Sequence, residues 1–233
     1  MNGKSISYVI SAFILALGLA VGGYFIAYGI MNFHNFNRYV QVKGLSEQTL
    51  KANEAVFSIS FSANADDLKS LYQKIQQSQN AIIVFLKENG LKRDEISLGG
   101  TSINTNTNRD NKNTPLYSAY GTITVLTAKV DLIQRLNQLT GQLVEKGVVI
   151  TSSQVSYRYT QLNDIKPSML VNATANAKIA ADTFAKNAHA SLGSIRQASQ
   201  GTFSISNAND SYGDSDIMKK VRVVVSAQYF LRN

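Results

Sequence analysis

The chain of 233 residues contains no cysteine, 2 histidines and 2 prolines. The lack of cysteine excludes disulfide bonds, thiolate metal sites and cysteine nucleophiles. The low proline content and a hydrophobic fraction of 44% predict a chain that buries a proper core rather than a disordered one. We therefore expect packing alone to hold the fold.

Charge is absent from a long N-terminal stretch, because no charged residue lies between Lys4 and Arg38. Within it, the apolar run from Tyr8 to Met31 exceeds the ~20 residues that cross a bilayer core. The run predicts an uncleaved transmembrane signal anchor. A cleaved signal peptide stays open as the alternative, although its apolar region spans only about 7–15 residues.

The anchor sets the expected organisation of the chain. Residues 1–7 form a short cytoplasmic N-terminus, 8–31 the anchor, 32–37 a polar linker and 38–233 an exported domain. The exported part has the length of one generous domain or two small ones. The anchor side chains are predicted to include Tyr8, Phe13, Leu15, Leu17, Val21, Phe25 and Ile30.

The exported part predicts an α+β fold. In Glu54–Ala65, apolar residues alternate with Ser58, Ser60 and Ser62, which is typical of a half-buried strand. Residues 54–160 give the order β-α-β-β-α-β, the split βαβ or ferredoxin-like unit with two helices on one face of an antiparallel sheet. The predicted strands are Tyr39–Glu47, Glu54–Ala65, Ile96–Asn104, Leu116–Thr127 and Val148–Tyr159, and the predicted helices run from Asp66-Asp67 to Asn89-Gly90 and over Val130–Lys146.

The remaining part, 161–233, is predicted to hold a third helix over about Pro167–Leu192, ended by Gly193, and two strands forming a C-terminal hairpin, Ser194–Ser206 and Ile217–Leu231. The helix carries a stripe of alanines and is longer than a compact sheet would cover. We expect it to bridge two lobes or to pack between subunits. The predicted interface residues are Ala173, Ala177, Ala181 and Phe184.

Candidate chemistry is sparse. His189 is predicted near a helix C-terminus, and the carboxylate pairs Asp66-Asp67 and Asp94-Glu95 stand at helix and turn boundaries. No nucleophile and base occur at a recognisable spacing, so we predict no catalysis and no cofactor. The net charge of +8 is scattered, which predicts solvated faces and no nucleic-acid binding. Loop 207–216 has oxygen donors suited to calcium, but a hairpin loop is the favoured interpretation.

The exported part resembles the SIMPL domain family (DUF541). Val42-Lys-Gly-Leu-Ser-Glu47 is similar to its opening V-x-G-x-[GS]-E strand. The stretch from Leu86 through Gly90-Leu91 to Asp94-Glu95-Ile96 is similar to its L-x-x-x-G-[IL]…D-I junction. Tyr117-Ser-Ala-Tyr is similar to its Y-x-A strand. Leu143–Gly147 and Ala173–Lys186 resemble its second and third helices. The resemblance implies a bacterial periplasmic domain held on the inner membrane, without catalytic residues, in a family whose members include ring-forming proteins and proteins linked to oxidative-stress tolerance.

Two functions are expected on these grounds. The first is a non-enzymatic, membrane-anchored protein that forms a homo-oligomer, with a ring as one form, and contributes to envelope or oxidative-stress tolerance. The alternative is an envelope binding module that captures an anionic small molecule or polymer through its basic faces and the loops 104–115 and 207–216.

Overall fold

The computed structural model describes residues 3–35, 38–107 and 115–232. The fold is α+β, with an N-terminal apolar helix, antiparallel sheets, a long helix and a C-terminal strand hairpin, as predicted. The chain divides into two compact units. The first comprises Met1–Ser46, Ser168–Thr202 and Val223–Asn233, and the second comprises Glu47–Pro167 and Phe203–Arg222.

The N-terminal helix, α1, runs over Gly3–Asn35. Within it, Ser11–Ile30 has a mean hydropathy of 2.0 and is not buried by the rest of the chain. Its length and composition suffice to cross a membrane. Residues 32–35 of the predicted linker continue this helix, and residues 36–37 lie outside the described part.

The second unit is built on an antiparallel sheet in the order β3-β4-β2-β5, which is the strand order of the split βαβ fold. The strands are β2 (Glu54–Ala65), β3 (Ile96–Thr105), β4 (Tyr117–Thr127) and β5 (Val149–Arg158). Helix α2 (Leu68–Glu88) packs on β2 and β4, while α3 (Val130–Gln138) and α4 (Gly141–Glu145) pack on β5.

The single helix predicted over Val130–Lys146 is wrong, because the chain breaks between α3 and α4. Leu139 ends α3 with its N–H bonded to the Leu136 carbonyl, and the Thr140 hydroxyl donates to the Asn137 carbonyl at 2.9 Å. A threonine that bonds back to the preceding turn offers the backbone an alternative to continuing the helix. Gly141 follows and starts the next turn.

The alternation predicted for β2 is confirmed, and it decides which face of the sheet is buried. Phe57, Ile59 and Phe61 point into the core together with Ile123 of β4. On the opposite face the Ser58 and Thr124 hydroxyls lie 3.4 Å apart, and those of Ser60 and Thr122 lie 3.1 Å apart. The outer face is therefore a surface of paired, uncharged hydroxyls.

The other sheet has the order β1-β8-β6, with β7 paired to β8. Its strands are β1 (Tyr39–Lys51), β6 (Ser191–Gln200), β7 (Ser204–Asn207) and β8 (Met218–Arg232). The strand predicted over Ser194–Ser206 is thus two strands, although both pair with β8 as a hairpin requires.

Helix α5 covers Leu162–Asn187, not the predicted Pro167–Leu192. Pro167 lies inside the helix rather than at its first position, and Gly193 lies in β6 rather than at the helix end. The residue that leaves the helix is His189, whose φ of 51° is left-handed.

Candidate functional site

His189 terminates α5 and has a structural role there. The Ala190 N–H bonds to the Ala185 carbonyl at 2.9 Å, and the His189 N–H bonds to the Lys186 carbonyl at 3.1 Å. These two bonds around a left-handed residue form a Schellman motif, which satisfies the last carbonyls of a helix. His189 occupies the position in which glycine is usual.

The paired carboxylates hold local structure together, as their positions predicted. The Asp67 carboxylate accepts from the Ser70 N–H at 2.9 Å and caps α2. Glu95 accepts from the Lys92 N–H at 2.7 Å, the Thr127 hydroxyl at 2.6 Å and the Lys129 ammonium at 3.1 Å. Burial raises the pKa of Glu95, but these donors outweigh it and hold the pKa below its usual value.

The loop considered for calcium is closed by its own hydrogen bonds. Its centre, Asp210–Ser215, is a 3-10 turn, and the Asp216 carboxylate accepts from the Asn209 and Met218 N–H groups at 2.7 and 2.9 Å. The buried ammonium of Lys219 donates to the Asn207 side chain. Burial lowers the pKa of Lys219, and the charges of Asp214 and Asp216 oppose that shift. The Lys219 ammonium of β8 thus supplies a cation beside this loop, and no cluster of potential metal ligands occurs among the described residues.

The alanine stripe of α5 packs inside its own unit. Ala173, Ala177 and Ala181 are fully buried, and Ala177 and Ala181 lie in one cluster with Val42, Ala227 and Tyr229. These three alanines, predicted as subunit-interface residues, have no exposed surface in the described chain, and the interface itself stays a prediction. Phe184, the fourth predicted residue, is exposed.

Strand β3 presents an open edge. It pairs with β4 on one side, and no described residue pairs with its other side. The strand has 10 residues and contains neither proline nor a charged residue. Natural sheets usually protect such an edge with charges, prolines or a covering loop, because its unpaired N–H and C=O groups can pair with another chain. A register shift at Gly99-Gly100 is its one irregularity among the described residues.

Exposed apolar side chains accompany this edge. Leu98 and Ile103 share the inward face of β3 by register, since they stand opposite the buried Ile123 and Ala119 of β4. Yet they are 45% and 52% exposed, because β3 lies outside the cover of the helices. On α2, Leu68 and Tyr72 are 55% and 63% exposed.

Helical geometry places Leu68 and Tyr72 on the β3 side of α2. The Lys74–Ser78 flank of the helix lines a cavity together with the start of β5. Leu68 and Tyr72 lie about 120° and about 160° around the helix axis from Lys74, on the opposite flank. We define these two residues with Leu98 and Ile103 as the β3 groove.

The opposite edge of the same sheet differs. Strand β5 is contacted by the turn Asp210–Ser215, so this edge has a cover that β3 lacks among the described residues. The sequence contained a signal for this difference, namely the run Ile96–Thr107 without a charged residue. That signal did not point to the groove, because the exposure of Leu98 and Ile103 depends on where the helices stop.

Comparison with known proteins identifies a family and little else. The model of the SIMPL family, described as "Protein of unknown function (DUF541)", matches residues 40–229. No curated protein matches the chain.

Solved structures show only loose likeness. A hydrolase from Listeria innocua is 12% identical with a TM-score of 0.23, over 80% of this chain and 91% of that chain. A protein from Burkholderia cenocepacia, described as a candidate amidohydrolase/peptidase, is 13% identical with a TM-score of 0.24, over 51% of this chain and 29% of that chain. At these TM-scores neither carries an argument about fold or activity.

Proposed function

This chain belongs to the SIMPL family (DUF541), and on that premise we propose that it is a non-enzymatic, membrane-anchored protein that assembles with copies of itself. Its bulk lies in the periplasm of a bacterial cell and α1 holds it on the inner membrane. The assembly contributes to envelope or oxidative-stress tolerance. That physiological role rests on the family resemblance alone.

The observation that carries the proposal is the open edge of β3. An uncharged edge of 10 residues offers backbone hydrogen bonds along its length, and the β3 groove beside it offers apolar surface. Pairing of two β3 strands about a two-fold axis would satisfy both edges at once, because such an interface uses the same surface on each copy. A second contact elsewhere would extend the dimer into a larger or ring-like assembly.

The anchor supports the membrane part of the proposal. Tyr8, Phe13, Leu15, Leu17, Val21, Phe25 and Ile30 are all exposed. Large apolar side chains left without protein cover are unfavourable in water and favourable in lipid. Several anchors on one assembly would also multiply its membrane affinity.

The alternative, a binding module for an anionic ligand, finds little support in the loops first considered for it. In loop 207–216, carboxylates face Lys219 and backbone N–H groups. Much of loop 104–115 lies outside the described residues. A cavity beside α2 supports an anion site better than these two loops do.

The test measures the mass of the full chain in detergent, using mass photometry and light scattering with the detergent contribution subtracted. We compare the wild type with Leu98→Lys and Ile103→Lys, which place a charge in the β3 groove. Val84→Lys is the matched control, since Val84 is an exposed residue of α2 about 160° around the helix axis from Leu68. We expect a discrete multiple for the wild type and the control, and smaller species for the two groove variants.

Each outcome bears on a separate part of the proposal. A monomeric wild type rules out assembly. A multimer that all three variants preserve places the contact outside the β3 groove and refutes the edge-pairing mechanism. Because every variant keeps the anchor, association through α1 alone would give that second result.

A further inference from the structure

A cavity lies on the side of α2 away from β3. Its volume is about 410 Å³, and it is bounded by α2, the end of β2 and the turn from α4 into β5. Binding sites for small ligands have volumes of about 300–1,000 Å³. This cavity is separate from the β3 groove, so what it binds is independent of the assembly proposed above.

The charged groups of the cavity are all positive. Lys74 and Lys146 line it, and no Asp or Glu does. The Lys74 ammonium donates to the Asn64 carbonyl at 2.8 Å, which holds it at the cavity wall. Lys146 reaches Glu88 at 3.4 Å, but both side chains are well exposed, and such pairs are weak. Each ammonium has three donors, so both keep donors for a ligand.

One serine hydroxyl completes the set of donors. Ser78 lines the cavity, is only 8% exposed and belongs to the buried side of α2. Its hydroxyl bonds to no other described residue of the protein. Buried polar groups normally find a partner, and the contents of the cavity can supply one. Ser62 also lines the cavity, but its side chain belongs with Ser58 and Ser60 on the outer face of the sheet.

We propose that this cavity binds a small anion through one carboxylate or phosphate group. The anionic oxygens accept a hydrogen bond from the Ser78 hydroxyl, while the ammonium groups of Lys74 and Lys146 balance the charge. Charge-assisted bonds of this kind are stronger than neutral ones.

The test titrates the full chain in a neutral detergent with inorganic phosphate, glycerol 3-phosphate and acetate, using isothermal titration calorimetry. Lys74→Gln/Lys146→Gln removes both charges, and Ser78→Ala removes a hydroxyl without changing the charge. Lys87→Gln is the matched control, since Lys87 is on the same helix but does not line the cavity. Circular dichroism melting checks that each variant folds.

We expect saturable binding of at least one probe by the wild type and by Lys87→Gln. The double lysine variant and Ser78→Ala should each weaken that binding by about tenfold or more, about 1.4 kcal/mol per factor of ten. No saturable binding of any probe, or equal binding by folded cavity variants, would overturn the proposal. The variant Leu98→Lys should bind as the wild type does, so a failure of assembly leaves this result unaffected.

The anionic group could belong to a soluble molecule or to a lipid headgroup. Repeating the phosphate titration in nanodiscs of zwitterionic and of anionic phospholipid separates the two sources. If anionic headgroups occupy the cavity, phosphate should bind more weakly in anionic than in zwitterionic nanodiscs, and Ser78→Ala should abolish that difference. This result assigns the cavity to a headgroup. Equal affinity in both assigns it to a soluble anion.

Discussion

Gly44 lets α5 approach β1 closely, and its replacement by alanine should cost much of the stability of that contact. A Cβ atom at position 44 would overlap the Ala173 carbonyl oxygen and the Ala177 nitrogen and would lie 2.8 Å from the Ala177 Cβ. The first two are backbone atoms of a helix, so no rotamer change relieves them. Overpacking in a core costs about 1–3 kcal/mol and occasionally more, and rigid neighbours place Gly44→Ala at about 3 kcal/mol.

Thermal unfolding of the full chain in detergent, followed by circular dichroism, measures this cost. For a chain of this size about 3 kcal/mol lowers Tm by about 6–12 °C. The control is Gly141→Ala, because a Cβ there meets nothing within 4 Å. Replacing this helical glycine should leave Tm unchanged or raise it, because the free energy of unfolding should rise by at most about 1 kcal/mol.

A double variant distinguishes a backbone clash from a side-chain clash. Adding Ala177→Gly removes the Cβ contact but leaves the backbone contacts, and glycine inside a helix costs about 1 kcal/mol. Gly44→Ala/Ala177→Gly should therefore be no more stable than Gly44→Ala. A neutral or stabilising Gly44→Ala, or full rescue by Ala177→Gly, would refute the close approach of α5 to β1.

Two further predictions concern the turns. Glu95→Gln should lower the free energy of unfolding at pH 7 by about 1–3 kcal/mol, since bonds to a charged group are lost. Because the folded pKa of Glu95 lies below the usual 4.5, its stabilisation is present above about pH 4.5 and disappears as the pH falls through the folded pKa. Urea unfolding at several pH values should therefore show the stabilities of the wild type and Glu95→Gln converging in acid. A difference in stability that stays constant with pH would contradict the argument. Glu88→Gln, which touches only an exposed pair, is its control, with an effect below about 1 kcal/mol. His189→Gly should raise the free energy of unfolding by about 0.5–1 kcal/mol, because glycine adopts the left-handed φ without strain. His189→Val should lower the free energy of unfolding. Equal stability of the two variants would contradict the Schellman assignment.

The helix ends show how far the sequence could predict this fold. Asn89-Gly90 and Gly147 were predicted to end helices, and both glycines have a positive φ of 94° and 81°. The end of α5 was predicted at Gly193 and lies instead at His189, which adopts the same conformation without being glycine. Histidine tolerates that region better than most residues, so the sequence contained only a weak signal. A rule based on glycine therefore placed the helix end too far along the chain.

Buried faces can be predicted from the sequence more directly than the partners that cover them. The alternation in β2 indicated correctly which side chains enter the core, because the period of a strand is a local property. The alanine stripe of α5 correctly indicated close packing, and the partners that the structure describes for it lie in the same chain. A stripe of small residues indicates that something lies near, but whether it is a strand of the same chain or another copy depends on the tertiary fold.

The residues that carry the family likeness explain why membership predicts a fold and leaves the function open. Val42, Gly44 and Ser46 of the opening motif are buried on one side of β1, and Gly44 is where α5 approaches. In the next motif, Leu91 donates to the Leu86 carbonyl and Gly90 to that of Lys87, which again makes a Schellman motif. These positions are constrained by backbone geometry rather than by chemistry. Leu98 and Ile103 of the β3 groove lie outside them, so another chain could keep every one of these motifs and still close its β3 edge with a single charge. Assembly through this edge is therefore a property to be tested in each member, starting with Leu98→Lys here.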